Sequence, residues 1–266
     1  MVPRRDLPAR LLHRRELSPT VYAVTFRLEG PFHRPAAGQF VMLGAPGLGR
    51  PFWRRAFSPA AYRRGELELM IRQVGSGTAY WRNAPAGTPA TLLGPLGNGF
   101  GIAAGGGRIA AVAGGIGLPP LLMALEEAAR HGREADLFQG AATAGELLEP
   151  ERCREMARGT DGEFVATTDD GSAGEAGFVT DALERRLARR SYGLVLACGP
   201  LPMLRALARI CRERGIEGRF AMEERMACGV GVCLGCVVPR AGGGHARVCA
   251  DGPVFGAHDL DWEAMA

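Results

Sequence analysis

Cys228, Cys233, Cys236 and Cys249 follow the spacing C-x4-C-x2-C-x12-C, opening in the segment Met226-Ala-Cys-Gly-Val-Gly-Val-Cys-Leu-Gly-Cys236. Thiolates so spaced match the ligand loop of a plant-type [2Fe-2S] cluster, whose chemistry is the passage of single electrons. Gly229, Gly231 and Gly235 suit such a loop, which needs unusual φ values and backbone N–H groups able to approach sulfur. Two readings compete with this one. Structural zinc, holding a non-catalytic scaffold together, usually shows two short C-x2-C knuckles; here there is one, with His245 as a further possible ligand. A disulfide framework requires an oxidising compartment, and nothing at the N-terminus resembles a signal peptide. A cytoplasmic location is therefore expected. It also suits Cys153, Cys198 and Cys211, which show no partnering pattern.

Two further constellations carry polar groups suited to nucleotides. In the first, Arg55-Ala56-Phe57-Ser58 ends one strand-like run, Met70-Ile71-Arg72 ends another, and Gly75-Ser-Gly77-Thr78 follows. Arginine beside a serine, facing glycine amides and a threonine hydroxyl, offers charge-assisted hydrogen bonds to a diphosphate and a polar edge for a flavin. In the second, Gly114-Gly115-Ile-Gly117-Leu-Pro-Pro120 lies between a buried strand and a helix, placing peptide N–H groups where a diphosphate can rest. Pro120 replaces the third glycine of the usual dinucleotide fingerprint, and proline is at home in a first helical turn. Cys198-Gly199-Pro200 ends a later strand at the same sheet edge. Each piece alone has a plainer reading: a solvated arginine over a core phenylalanine, a tight turn without a ligand, a buried small cysteine. No arginine stands in Gly140-Ala-Ala-Thr-Ala-Gly-Glu146 to meet a 2′-phosphate, which favours NAD over NADP.

The elements that must position these groups fall into three stretches. Over residues 1–102 short alternating runs, such as Thr20–Phe26, Gln39–Leu43 and Glu66–Arg72, separated by Gly and Pro, predict an antiparallel β-barrel. Over 103–219 strands and helices alternate, with strands at Ile109–Ala113, Ala135–Gly140 and Leu194–Ala197 and helices over Pro119–Arg130 and Leu201–Arg214. That alternation predicts an α/β domain with a parallel sheet. Residues 220–266 read as the cysteine loop and a short tail.

Composition excludes other functions. With 266 residues and 47% hydrophobic content the chain can bury more than one core. All 32 basic residues are arginine, so neither a Walker lysine nor a Schiff-base lysine is present. No dense basic and aromatic patch suggests nucleic acid. Glycines and prolines break the apolar stretch Ile109–Leu125, so it reads as core rather than as a membrane span. The five histidines are scattered, and no pattern of acid–base catalysis is present.

Barrel, dinucleotide domain and iron–sulfur loop in this order resemble the ferredoxin reductase superfamily, and within it the electron-transfer subunits of two-component, NAD-linked dihydroorotate dehydrogenases. The resemblance is carried by Arg55–Ser58, Gly75–Thr78, Gly94-Pro-Leu-Gly-Asn-Gly-Phe100, Gly114–Gly117, Thr168-Asp-Asp-Gly-Ser-Ala-Gly174, Cys198–Pro200, the cysteine segment and Val248-Cys-Ala-Asp-Gly-Pro-Val-Phe255. It implies FAD at Arg55, Ala56, Phe57, Ser58, Met70, Ile71, Arg72, Gly77 and Thr78. It implies NAD at Gly114, Gly115, Gly117, Cys198, Gly199 and Pro200, and a [2Fe-2S] cluster on Cys228, Cys233, Cys236 and Cys249. The implied partner is an FMN-containing catalytic subunit that oxidises dihydroorotate in pyrimidine biosynthesis, in a two-plus-two heterotetramer. Relatives of similar architecture serve hydrogenases and flavin-based transhydrogenases. The family usually has proline where this chain has Ala56, and Pro59 and the insertion-like Pro51-Phe-Trp53 also depart from it, so a reshaped FAD site is expected. Val230, Val232 and Leu234, apolar and beside the ligands, are expected in the partner-docking surface, with Arg225 nearby.

Overall fold

The structure is a computed structural model that describes residues 6–46 and 53–265. Pro51 and Phe52 of the insertion-like segment lie outside the described residues. The first sheet contains β1 (Asp6–Glu16), β2 (Val21–Leu28), β3 (Phe40–Gly44), β4 (Arg55–Phe57), β5 (Pro59–Arg63), β6 (Glu66–Arg72) and β7 (Pro89–Leu96), with helix α1 (Ser76–Asn83) before β7. Its order is β4-β3-β7-β1-β2-β6-β5, antiparallel throughout. The two edge strands, β4 and β5, are consecutive in the chain and joined by Ser58 alone. Pro59 is thus the first residue of an edge strand, where its missing N–H costs no ladder bond, and the register shifts just after it. The β-branched and aromatic residues of these strands bury one apolar face around Tyr22, Phe26, Leu69, Ile71 and Trp81.

The second sheet contains β8 (Ile109–Gly114), β9 (Ala135–Ala141), β10 (Phe164–Thr168), β11 (Glu175–Ala176), β12 (Leu194–Cys198) and β13 (Glu217–Ala221). Helices α2 (Leu118–Arg130), α3 (Pro150–Arg158), α4 (Val179–Leu187) and α5 (Leu201–Arg214) connect them. The remainder forms a hairpin of β14 (Val237–Pro239) and β15 (His245–Arg247), a single turn α6 (Val248–Asp251) and strand β16 (Val254–Gly256). The order β11-β10-β9-β8-β12-β13-β16 is parallel except at its last strand, where β16 runs antiparallel to β13. The strands of the expected α/β stretch pair in parallel, and β16, from beyond that stretch, adds an antiparallel edge that makes the whole sheet mixed. The chain returns from the cysteine loop as a short strand, too brief to leave a period-2 signal. Nor is the tail loose: Trp262 is buried and meets Phe220 edge to face at 5.4 Å. The expected boundary at 219/220 falls inside β13.

Charged side chains join the two sheets. Arg152 of α3 donates to Glu68 on β6 at 2.6 Å and to Glu149 at 2.7 Å, and Arg15 of β1 pairs with the same Glu149. Arg133 gathers the carbonyl oxygens of Ile102, Ala104, Gly106 and Gly107, at 2.8 to 3.2 Å, and so pins the glycine-rich linker. Among the described residues no helix is long and apolar enough to cross a membrane.

Candidate functional site

A cleft of about 950 Å3 opens between the two sheets. Arg55, Ala56 and Phe57 on β4, the connecting Ser58, Met70 and Arg72 from β6, and Thr78 of α1 form one wall. Ile71, between Met70 and Arg72, points the other way into the core of the first sheet, as strand alternation requires. The segment Gly75–Thr78 was legible as glycine amides with a hydroxyl, but its helix was not. Thr78 is the third residue of α1, and its Oγ1 accepts from Val74 N at 2.9 Å and Gly75 N at 3.1 Å, so it caps the helix from within. A Cβ on Gly77 would fall 2.2 Å from the Arg55 guanidinium, which lies directly on this glycine. Bare helix N–H groups and an arginine thus share one point, an arrangement suited to a diphosphate.

The opposite wall comes from the second sheet. Gly114 ends β8, Gly115 and Gly117 make a single 3-10 turn, and α2 begins at Leu118. A Cβ on Gly117 would lie 2.0 Å from the carbonyl oxygen of Cys198, and one on Gly199 would lie 2.9 Å from the backbone of Gly114. The two predicted turns therefore touch backbone to backbone, and only glycine permits it. Pro200 closes the same contact, with its Cδ 2.7 Å from the Cβ position of Gly114. Gly115 has φ +52°, and Arg72 of the opposite wall reaches to 2.9 Å from its Cβ position, linking the two halves of the site. Cys198 lines the cleft; burial, then the charge of Glu223, pushes its thiol well above the ordinary value, so it is held neutral.

Met222, Glu223 and Met226 also line the cleft, though the sequence reading passed over them. No motif marks Glu223, which stands two residues beyond the carboxyl end of β13 and is brought beside Cys198 only by the fold. The Glu223 carboxyl faces open space, yet crowding by protein atoms raises its pKa against the opposing pull of Arg72. It lies 4.0 Å from Cys198 Sγ.

Beyond Met226 the chain enters the cysteine loop, and Gly235 of that loop is itself part of the cleft wall. The sulfurs stand as two pairs. Cys233 N donates to Cys228 Sγ at 3.5 Å, and Cys249 N donates to Cys236 Sγ at 3.4 Å. Val230 N reaches Cys228 Sγ at 3.4 Å, and Gly231 N reaches Cys249 Sγ at 3.1 Å. Burial raises the Cys228 thiol, but these backbone donors outweigh it and bring the value down to about 6. Gly229 and Gly231 have φ of +68° and +85°, and Leu234, without glycine's freedom, has +58°. No three His, Cys, Asp or Glu side chains among the described residues converge to hold a metal ion. Four cysteines, three of them accepting from backbone amides, fit an iron–sulfur cluster, which they would hold.

Three family models match this chain in the order its parts occur. The oxidoreductase FAD-binding domain matches residues 8–100, the oxidoreductase NAD-binding domain 111–209, and the iron–sulfur cluster binding domain of dihydroorotate dehydrogenase B 223–261. A protein of Caldanaerobacter subterraneus subsp. tengcongensis, named dihydroorotate dehydrogenase B (NAD(+)), electron transfer subunit, is 34% identical over 96% of this chain and 98% of its own. The chain belongs to that family. A second member, from Geobacillus thermodenitrificans, is 39% identical over 84% of this chain and 86% of its own. Among solved structures, the NADH-dependent reduced ferredoxin-NADP oxidoreductase superposes with a TM-score of 0.83 at 25% identity, covering 96% of this chain and 90% of that one. A ferredoxin reductase of carbazole 1,9a-dioxygenase, 23% identical with a TM-score of 0.67 over 80% of this chain and 66% of that one, shares the fold. FAD, NAD and an iron–sulfur cluster are the groups this family's domains take, and all four cysteines fall within the iron–sulfur match. The zinc scaffold weighed from the sequence finds no support there.

Proposed function

We propose that the chain carries electrons from a partner subunit, which oxidises dihydroorotate, to NAD in cytoplasmic pyrimidine biosynthesis. One observation carries the reading: the flavin-type wall, Ile116, Pro119, Pro120 and Cys198 from the two dinucleotide turns, and Gly235 of the cysteine loop line a single cleft. Bound FAD would supply the exchange between one-electron transfer at iron and two-electron transfer at nicotinamide. In this reading residues 1–102 are the FAD-holding barrel, 103–219 the NAD domain and 220–266 the cluster segment. Arg55, Ser58 and Thr78 orient the flavin and its diphosphate, with Ala56, Phe57, Met70, Arg72 and Gly77 shaping the pocket and Ile71, turned into the core, packing behind it. Gly114, Gly115 and Gly117 seat the NAD diphosphate, and Cys198, Gly199 and Pro200 hold the nicotinamide end. Cys228, Cys233, Cys236 and Cys249 hold the cluster. The partner is an FMN-containing catalytic subunit, two copies of each chain assembling together.

An anaerobic absorption spectrum of the purified chain, with iron, zinc and flavin quantified, tests this. One FAD, two irons and bleaching by NADH are expected; a colourless zinc protein indifferent to NADH would overturn it. The 25% identity to the NADH-dependent reduced ferredoxin-NADP oxidoreductase favours a second reading, service to another NAD(P)-linked complex. The identity of the large subunit that co-purifies decides between them.

A further inference from the structure

Arg247 ends β15, and Asp251 ends α6, the turn that carries Cys249. The Asp251 carboxylate accepts from Arg247 N at 2.8 Å and Nε at 3.1 Å through one oxygen, and from Nη2 at 3.0 Å through the other. The remaining arm, Nη1, leaves the turn and donates to the carbonyl oxygen of Gly231 in the cysteine loop at 3.2 Å. The contact is close, since a Cβ on Gly231 would lie 3.3 Å from Nη1. Both neighbouring amides of Gly231 face sulfur. Its own N–H donates to Cys249 Sγ. The N–H of Val232, which shares a peptide unit with the Gly231 carbonyl, is among the backbone groups acting on Cys228.

An i,i+4 ion pair with side chains 40% and 25% exposed would ordinarily do little beyond fixing a turn. Here the guanidinium also grips the loop whose amides serve one sulfur from each cysteine pair. We propose that the Arg247–Asp251 clamp sets the reduction potential of the cluster, Arg247 raising it and Asp251 offsetting part of that rise. The inference rests on the cluster reading above. Reduction adds one negative charge to the cluster, so a fixed cation beside it favours the reduced form and a fixed anion opposes it. Pulling on the Gly231 carbonyl also polarises its peptide unit, making the Val232 N–H a stronger donor to sulfur, which acts in the same direction. Arg247 and Asp251 are positioning residues; neither is a ligand.

The test is an EPR-monitored redox titration of the FAD- and cluster-loaded chain at low ionic strength, comparing wild type with R247Q, R247K and D251N, iron content being measured for each. Relative to wild type, R247Q should move to a more negative midpoint and D251N to a more positive one, with R247K close to wild type. Each shift should correspond to a threefold to tenfold change in the reduced-to-oxidised ratio, about 28 to 59 mV for one electron. Unchanged midpoints in R247Q and D251N, or shifts of both in one direction, would overturn the proposal and leave a structural clamp, even if iron content or thermal stability fell. Should R247Q fail to retain iron, D251N decides alone: a positive shift supports the proposal and its absence overturns it. A wild-type chain with neither iron nor an EPR signal would instead remove the cluster reading, and this inference with it.

Discussion

Single residues set the geometry where side chains would be in the way. Gly77 is the sharpest case, because the space its Cβ would take is filled by the Arg55 guanidinium. Gly77→Ala should leave the fold intact and displace Arg55, which is the free end of a long side chain. Losing a charge-assisted hydrogen bond worth about 1.5–3 kcal/mol predicts roughly a tenfold to hundredfold rise in the FAD dissociation constant, read by flavin fluorescence on titrating the apoprotein. Gly117 differs because its neighbour is the Cys198 carbonyl, part of the backbone. Gly117→Ala should force the two turns apart at about 1–3 kcal/mol, seen as a lower melting temperature together with weaker NADH binding. These roles were half legible. The sequence marks the glycines and the arginine, but not that each glycine is empty so that a group distant in sequence can occupy its place. Glu223 was missed for a related reason, since a lone acid after a strand has no motif and gains meaning only beside Cys198.

At the scale of elements, the strands and helices that read most clearly were those with strong periodic burial. Helix α2 was expected over Pro119–Arg130 and runs Leu118–Arg130, and α5 matches its expected span Leu201–Arg214. By contrast α1, eight residues opened by glycine and carrying threonine, has neither the length nor the propensity to announce itself, and packing of Trp81 against Phe26 fixes it instead. Strand β16 is fixed in the same way by its neighbour. Strand β9 shows how an element is anchored. Asp136, near its start, is buried and accepts from Arg108, Arg190, Tyr192 and the Glu163 amide. Burial raises its pKa, but the Tyr192 hydroxyl, the Glu163 amide and the two arginines outweigh burial and hold it below the ordinary 3.8. A lowered folded value means that this stabilisation is complete above the unfolded-state pKa and disappears as pH falls through the folded one. Asp136→Asn, which removes the buried anion while Arg108 keeps Glu134 and Arg190 keeps Glu163, should cost about 1.5–3 kcal/mol in urea denaturation at pH 7. The penalty should shrink on acidification below 3.8, where the wild type loses the same charge.

Across the whole molecule Arg152, Glu68, Glu149 and Arg15 link the two sheets that form the cleft walls. The outer face of the cysteine loop has no such support. Val232 is 80% exposed and Leu234 60%, whereas Val230 is partly buried and packs against the core of its own chain. Leu234→Asp should therefore weaken assembly with the catalytic subunit at least about tenfold, by size-exclusion chromatography of the mixed subunits, with iron and FAD content unchanged. Equal assembly would place the partner elsewhere. One further consequence follows from β16 lying beside β13 while the entire cysteine loop intervenes between them in sequence. The ribosome makes the chain from its N-terminus, so β13 waits at an open sheet edge until the loop has been made. Cys249 and β16 then leave the exit tunnel almost together. Cys249, the fourth of the proposed cluster cysteines, and the strand that covers β13 thus reach the nascent protein together, and a chain cut short before them would lack both.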